Sequence, residues 1–227
     1  MTCDEPGKYF HYESSTWAEQ SSRLIQANIN SVIKKNGKCT VMLTGGRCAM
    51  RLYSAWRVLP EFQHLRHVNF YFGDERCVPP SDEASNHGLA MTYLFNSGIP
   101  ETCSVLRMEA DDPDYDSAAM RYDEMLPGHI DVLLLGVGVD GHIASLFPRS
   151  AELNEKNRRV VYANSRKWKH GRLTITPEVI AHARSIYVLA AGEQKLAVFS
   201  RATKNKMDYY NVPARLVLDA IWLFNDG

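Results

Sequence analysis

The chain has 227 residues, with 26 Lys+Arg against 26 Asp+Glu, so no net field draws it to nucleic acid or anionic lipid, and an anionic ligand must be met by local charge. That length suits one α/β domain or two small ones and lets roughly 70% of the unfolded surface be buried. Five cysteines, Cys3, Cys39, Cys48, Cys77 and Cys103, include no C-x-x-C pair, and this odd, scattered set reads as reduced thiols of a cytoplasmic protein rather than a secreted disulfide framework.

The first stretch, MTCDEPGKYFHY, lacks a basic segment followed by an apolar one, and no apolar run approaches the ~20 residues that cross a bilayer. Neither a leader nor a membrane contact is expected. Thr16 with Glu19 reads as a capping box for a helix carrying Trp17, Leu24, Ile25, Ile29, Val32 and Ile33, closed by Gly37. Cys39 to Leu43 is a short apolar run of buried-strand type, ended by Gly45 and Gly46 and followed by the helical pattern CAMRLYSAW. The alternation repeats with a strand at His67 to Phe72, a helix around Asn86 to Asn96, a short strand near Val105, a helix at Asp114 to Met125 and a strand at Ile130 to Val137.

Such repetition predicts a mostly parallel central sheet with helices on both faces, a Rossmann-like α/β fold. Beyond Pro148 the pattern predicts strands at Arg158 to Ala163 and Arg172 to Ile175, then a helix with Thr176 as N-cap and Pro177 in its first position. Ser185 to Ala191 reads as a further buried strand, followed by a helix ending near Thr203, and RLVLDAIWLF closes the sheet. No linker, repeat or composition shift appears, so residues 1–227 are read as a single domain. Lys204 to Pro213 is expected to be its most mobile loop.

The stretch LLLGVGVDGHIASLFP contains Gly136, Gly138 and Gly141 in a literal G-x-G-x-x-G. A dinucleotide site needs a helix after the third glycine and an acid ending a strand about 20 residues on. Here Pro148 arrives soon after Gly141, and the region 20 residues past Gly136 is the polar run LNEKNRR. No cofactor is therefore expected. What remains is a loop at the carboxyl end of a central parallel strand, where open α/β sheets place ligands. His142 is the natural general base, and Asp140 could orient it or stabilise its protonated form. The alternative is a plain Asp-Gly turn capped by the histidine.

Other loops fall at the same edge. Gly45, Gly46 and Arg47 stand where a strand hands over to a helix, a place suited to an anion, although a tight turn with a solvated arginine would read the same way. Asp74, Glu75 and Arg76 follow another buried strand, where Asp74 could position a substrate hydroxyl and Arg76 could bind an anion or pair internally. Arg172 lies near a strand start. Gly192 and Lys195 lie at a strand-to-helix turn, and a lysine in a first helical turn opposes the dipole preference unless an anion holds it there. The histidines, His64 and His67 among them, lack the spacing of a metal site, so no metal is expected. No G-x-S-x-G elbow appears.

Taken together, LTGG with its helix, GDERCVP, SDEASNHGLA with Ser85 and Asn86, DVLLLGVGVDGHIASLFP, RLTIT, GEQK, VPA and DAIW resemble the 6-phosphogluconolactonase family, within the wider group that includes glucosamine-6-phosphate isomerase/deaminase. The resemblance covers nearly the whole chain. It implies cofactor-free hydrolysis of 6-phosphoglucono-δ-lactone to 6-phosphogluconate in the oxidative pentose phosphate pathway, with one sugar-phosphate lactonase domain and a small-molecule sugar phosphate as the partner. It further implies that His142 activates water, that Asp74 and Asp140 line the sugar site, and that Arg47, Arg172 and Lys195 lie where the phosphate should be. Gly138, Gly141, Arg76 and Asn86 complete the expected substrate contacts. In one departure, Arg47, Cys48 and Ala49 follow the glycine pair where the family usually has a small hydroxyl residue, then Ser or Thr, then Pro. The isomerases of this group carry an acid before the loop proline, and here that residue is Phe147. A non-catalytic sugar-phosphate sensor would be expected to add a DNA-binding segment, and no basic patch marks one. The residues therefore favour the lactonase.

Overall fold

A computed structural model describes residues 8–164, 168–204 and 208–225. In these residues the strands are β1 (Tyr9–Tyr12), β2 (Cys39–Leu43), β3 (Val68–Phe72), β4 (Asp74–Arg76), β5 (Ser104–Val105), β6 (Val132–Gly136), β7 (Val160–Ala163), β8 (Arg172–Ile175), β9 (Ser185–Ala191) and β10 (Ile221–Asn225). The helices are α1 (Trp17–Asn36), α2 (Arg47–Trp56), α3 (Pro60–Gln63), α4 (Asn86–Tyr93), α5 (Tyr115–Met125), α6 (Pro177–Ala181) and α7 (Glu193–Thr203). No described helix is long and apolar enough to cross a membrane.

Seven strands form one parallel sheet in the order β1-β10-β9-β6-β2-β3-β5. Successive strand side chains point to opposite faces, so a parallel strand with both faces covered must be apolar throughout. Val132 and Leu134 of β6 accordingly join Trp17, Ile25, Leu52 and Trp56 from α1 and α2 on one face. Leu133 and Leu135 join Ala118 and Tyr122 of α5 and Val198 of α7 on the other. The helices cover both faces, as the alternating pattern predicts.

The chain builds β2, β3 and β5 outward to one side, then crosses back so that β6 pairs with the free flank of β2. Loops leaving the carboxyl ends of β2 and β6 diverge from that reversal, and a crevice opens between them. This reversal positions the site.

Several sequence expectations are corrected by the structure. Strands β7 and β8 do not extend the main sheet; with β4 they form a separate antiparallel sheet in the order β4-β8-β7. The final strand β10 is not the sheet's edge, because β1, an exposed strand too short to show a clear pattern, pairs outside it. The capping box at Thr16 does not form. Thr16 adopts helical φ/ψ, its hydroxyl donates to the Glu13 carbonyl, and Glu19 pairs with Arg23 at 3.0 Å. Thr176 precedes Pro177 as expected, yet its hydroxyl donates to the Arg158 carbonyl rather than capping α6. Residues 205–207 of the loop expected to be mobile lie outside the described residues. In its remainder Asp208 accepts from Asn211 and the Tyr210 hydroxyl donates to the Arg149 carbonyl. Cys39, Cys48, Cys77 and Cys103 are free thiols, and Cys3 lies outside the described residues.

Helix caps offer a direct check of this reading. Asp114 accepts from the Ser117 main-chain N–H at 3.0 Å at the start of α5, whereas the Thr16 side chain caps nothing. Asp114→Ala is expected to lower unfolding free energy by about 1 kcal/mol, and Thr16→Ala to stay within about 0.5 kcal/mol of the parent, measured by urea denaturation.

Candidate active site

The first wall follows β2. The Tyr53 hydroxyl donates to the Thr44 carbonyl at 2.7 Å and accepts from its N–H at 3.0 Å, so one buried phenol satisfies both polar groups where the strand ends. Burial pushes the phenol far up from its ordinary range. Gly45 and Gly46 then hand over to α2, whose first residue is Arg47. A Cβ on Gly45 would lie 1.7 Å from Asn86 Oδ1, so only glycine lets the turn approach that amide.

Asn86 Nδ2 donates to the carbonyl of Asp74 at 2.8 Å and to its Oδ1 at 3.2 Å, and the Ser145 hydroxyl donates to Asp74 Oδ2 at 2.7 Å. Asp74 lines the crevice with its carboxylate already engaged on both oxygens. Neighbouring Glu75 has a different task. Its carboxylate accepts the main-chain N–H groups of Arg76, Asn86 and His87, each at 2.7 Å, together with the Ser85 hydroxyl. Burial raises its pKa against the pull of those donors. A negative side chain thus sits at the amino end of α4, where orphan N–H groups and the helix dipole favour it.

The second wall is the glycine loop after β6. Gly138 N–H donates to the His142 carbonyl at 2.8 Å, and Gly141, at φ +94°, donates to the Gly138 carbonyl. His142 Nδ1 lies 2.6 Å from Asp140 Oδ1, and the same oxygen accepts the His142 main-chain N–H at 3.1 Å. Burial works against the Asp140 charge, but the hydrogen bonds and charge of His142 outweigh it, and the carboxyl is held below its usual range. An ionised carboxylate only accepts. Nδ1 must therefore carry the proton, and Nε2 keeps its lone pair in the neutral ring. A Cβ on Gly138 would lie 2.1 Å from Nδ1, so the ring rests directly over that glycine.

Ala144 follows at φ +46° in a tight turn in which Leu146 N–H donates to the Ile143 carbonyl. Such a conformation costs on the order of 1–3 kcal/mol for a residue with a side chain. It lets Ile143 and Leu146 enter the core while Ser145 reaches Asp74.

The third wall is α7. Lys195 Nζ donates to the Val137 carbonyl at 2.6 Å, and Arg201 Nη2 donates to the Val139 carbonyl at 3.0 Å. Two cations from one helix thus grip alternate carbonyls of the loop that carries His142. Burial lowers the Lys195 pKa and Arg47 lowers it further, while Cys48 and Asp140 offset part of the effect. An anion between Lys195 and Arg47 would relieve this crowding of positive charge.

The three walls enclose a cleft of about 860 Å³, and Gly45, Gly46, Arg47, Asp74, Arg76, Asn86, Gly138, His142 and Lys195 all line it. Three expected residues do not. Asp140 supports His142 while facing a second cavity of about 720 Å³. Gly141 is buried as the loop's turn, with its carbonyl accepting from Ala214. Arg172 lies opposite Arg76 in the β4–β8 register and donates to the carbonyls of His170 and Gly171. Burial and the Arg76 charge lower its pKa. Of the three cations expected around a phosphate, Arg47 and Lys195 share the cleft and Arg172 does not. The sequence reading missed Arg201, Glu75 as a helix anchor, and Trp168, which lines the cleft beside His142. Two of these act across long sequence distances, which no local pattern records. Among the described residues no group of three or more His, Cys, Asp or Glu side chains could hold a metal.

A sequence model of the family described as glucosamine-6-phosphate isomerases/6-phosphogluconolactonase matches residues 13–222. The chain is similar to a 6-phosphogluconolactonase of Mycobacterium tuberculosis, with 31% identity over 225 residues covering 92% of this chain and 90% of that protein. It is also similar to one of Chlamydia pneumoniae, with 28% identity over 214 residues covering 89% of this chain and 78% of that one. Its backbone matches the crystal structure of a 6-phosphogluconolactonase from Shewanella baltica with a TM-score of 0.87 and 25% identity, covering 98% of this chain and 99% of that one.

The loop geometry makes its own prediction. Gly138→Ala drives a methyl group into His142 Nδ1 and is expected to abolish the Asp140 hydrogen bond. Gly136→Ala meets nothing closer than 3.7 Å and is expected to preserve it. The bonded Nδ1 proton, followed by imidazole NMR, should disappear only in the first variant.

Proposed function

Because the chain belongs to the glucosamine-6-phosphate isomerase/6-phosphogluconolactonase family, we propose that it hydrolyses 6-phospho-D-glucono-1,5-lactone to 6-phosphogluconate, the lactone-opening step of the oxidative pentose phosphate pathway. The observation that carries this reading is the Asp140-bound imidazole of His142 on the wall of a cleft that Lys195 and Arg47 also line. The whole chain acts as one sugar-phosphate lactonase domain.

In this mechanism the unpaired N–H groups at the amino end of α2, with Arg47 and Lys195, take the phosphate. His142 Nε2 removes a proton from water as its oxygen attacks the lactone carbonyl carbon. Charge gathers on the carbonyl oxygen and is stabilised by donors of the wall, Arg76 among them. Collapse breaks the bond from the acyl carbon to the ring oxygen, and the imidazolium returns its proton to that leaving oxygen. The cycle closes on water and residues of the chain. Asp140 favours the imidazolium while the proton is held and keeps the ring in the tautomer that can accept it.

The isomerase reaction moves a proton between carbons and calls for a further carboxylate beside the histidine. Phe147 occupies that place, its ring 5.0 Å from the imidazole. Of the two acids that line the cleft, Asp74 is committed to Ser145 and Asn86, and Glu193 stands in the first turn of α7.

The test is the decay of freshly generated 6-phosphogluconolactone with and without the protein, beside a glucosamine 6-phosphate deamination assay. Accelerated decay without deamination is expected, and deamination alone would replace this reading with the isomerase. His142→Ala should lose about 10²–10⁴-fold in kcat, and unchanged turnover would remove His142 from the chemistry. Lys195→Ala should chiefly raise KM for the phosphorylated lactone. Arg172→Ala, at the position behind Arg76 in the β4–β8 register, should raise it less.

A further inference from the structure

Trp17, Trp56 and Trp222 are wholly buried, and each indole N–H has a partner, in the Leu223 carbonyl, Gln26 Oε1 and the Val217 carbonyl respectively. Trp168 differs in every respect. It is 39% exposed, its indole N–H donates to no described residue, and it lines both the cleft and the second cavity. Its ring stacks on Phe147 at 5.2 Å and 24° and meets His142 at 5.6 Å and 75°. The indole is therefore braced on one side by a phenyl ring, stands beside the imidazole, and lines both cavities.

A large aromatic side chain left open to water beside His142 has uncovered apolar area and a donor with no partner among the described residues. The ligand that uses both is flat, with an apolar C–H face and hydroxyls around its rim. A six-membered sugar lactone has that form. Its phosphate end is drawn to the cations of the cleft, so the ring is left to be oriented by contacts that carry no charge. Among the cleft-lining residues, Trp168 alone offers a broad aromatic face near His142.

We propose that Trp168 is the platform on which the sugar ring rests, a specificity-determining residue that holds the lactone carbonyl beside His142 and seals the base from the second cavity. The inference rests on the lactonase reading. It makes Trp168 a residue of ring recognition, separate from the cations that recognise the phosphate.

Steady-state kinetics and tryptophan fluorescence of the intact protein test it together. Trp168→Ala should raise KM for 6-phosphogluconolactone about ten- to a hundredfold, the range spanned by losing an apolar contact, with a smaller change in kcat, and Trp168→Phe should restore most of the loss. Trp168 should dominate the emission that acrylamide can quench, since its three described counterparts are buried, and 6-phosphogluconate should shield it. Trp168→Ala with wild-type KM, or a KM defect that Trp168→Phe leaves uncorrected, would overturn the platform while leaving the lactonase reading intact. Wild-type protein that fails to speed lactone decay would overturn that reading and the platform with it.

Discussion

The bond between Asp140 and His142, 2.6 Å long, sets the proton inventory of the cleft. An imidazole free to rotate would offer either nitrogen to the solvent, and half of its orientations would present a donor where a base is needed. The partner two residues earlier removes that freedom with a short local loop. Glycine at position 138 leaves room for the ring to lie across the backbone. The interaction is local in sequence, but its placement depends on β6 ending beside β2 at the point where the sheet reverses direction.

That local bond is held by distant parts of the chain. Lys195 and Arg201 reach the loop carbonyls from α7, Ala214 donates to Gly141, and Ser145 connects the downstream turn to Asp74. The first three place a donor on a carbonyl that a glycine-rich loop could not satisfy internally, and the fourth ends on a carboxylate. Lys195 thus has two relationships, because its ammonium holds the Val137 carbonyl of the His142 loop and also lines the cleft that Arg47 shares. Strain at Ala144 is kept because Ile143 and Leu146 are buried on either side of it.

Much of the fold was readable from hydrophobic pattern. The spans of β2, β8 and β9 match the runs CTVML, RLTI and SIYVLAA residue for residue, because buried strands are continuous apolar segments bounded by polar or glycine residues. His142 and Asp140 were legible as a candidate pair because they stand among glycines directly after such a strand, where a plain Asp-Gly turn was the alternative reading. Pairing was harder to read. Nothing in the composition of β7 and β8 distinguishes membership of the large sheet from a separate antiparallel one, and Arg172 went with them to stand opposite Arg76. Trp168, in a polar loop, carried no periodic signal. Thr16 and Glu19 satisfied a spacing rule, but Glu13 and Arg23 offered these side chains other partners.

The strand order carries a consequence for how the molecule is made. β1 pairs with β10 from Tyr9–Trp222 to Tyr12–Asn225, and the Trp17 indole bonds the Leu223 carbonyl, so β1 has no strand partner until β10 has taken its own place. During synthesis that flank of β9 stays open until β10 has been made, and α1 waits with part of its apolar face uncovered. Parallel pairings between remote segments form slowly, and unpaired strand edges invite association with other chains. Until β10 arrives, the growing chain therefore carries an unpaired strand edge on β9.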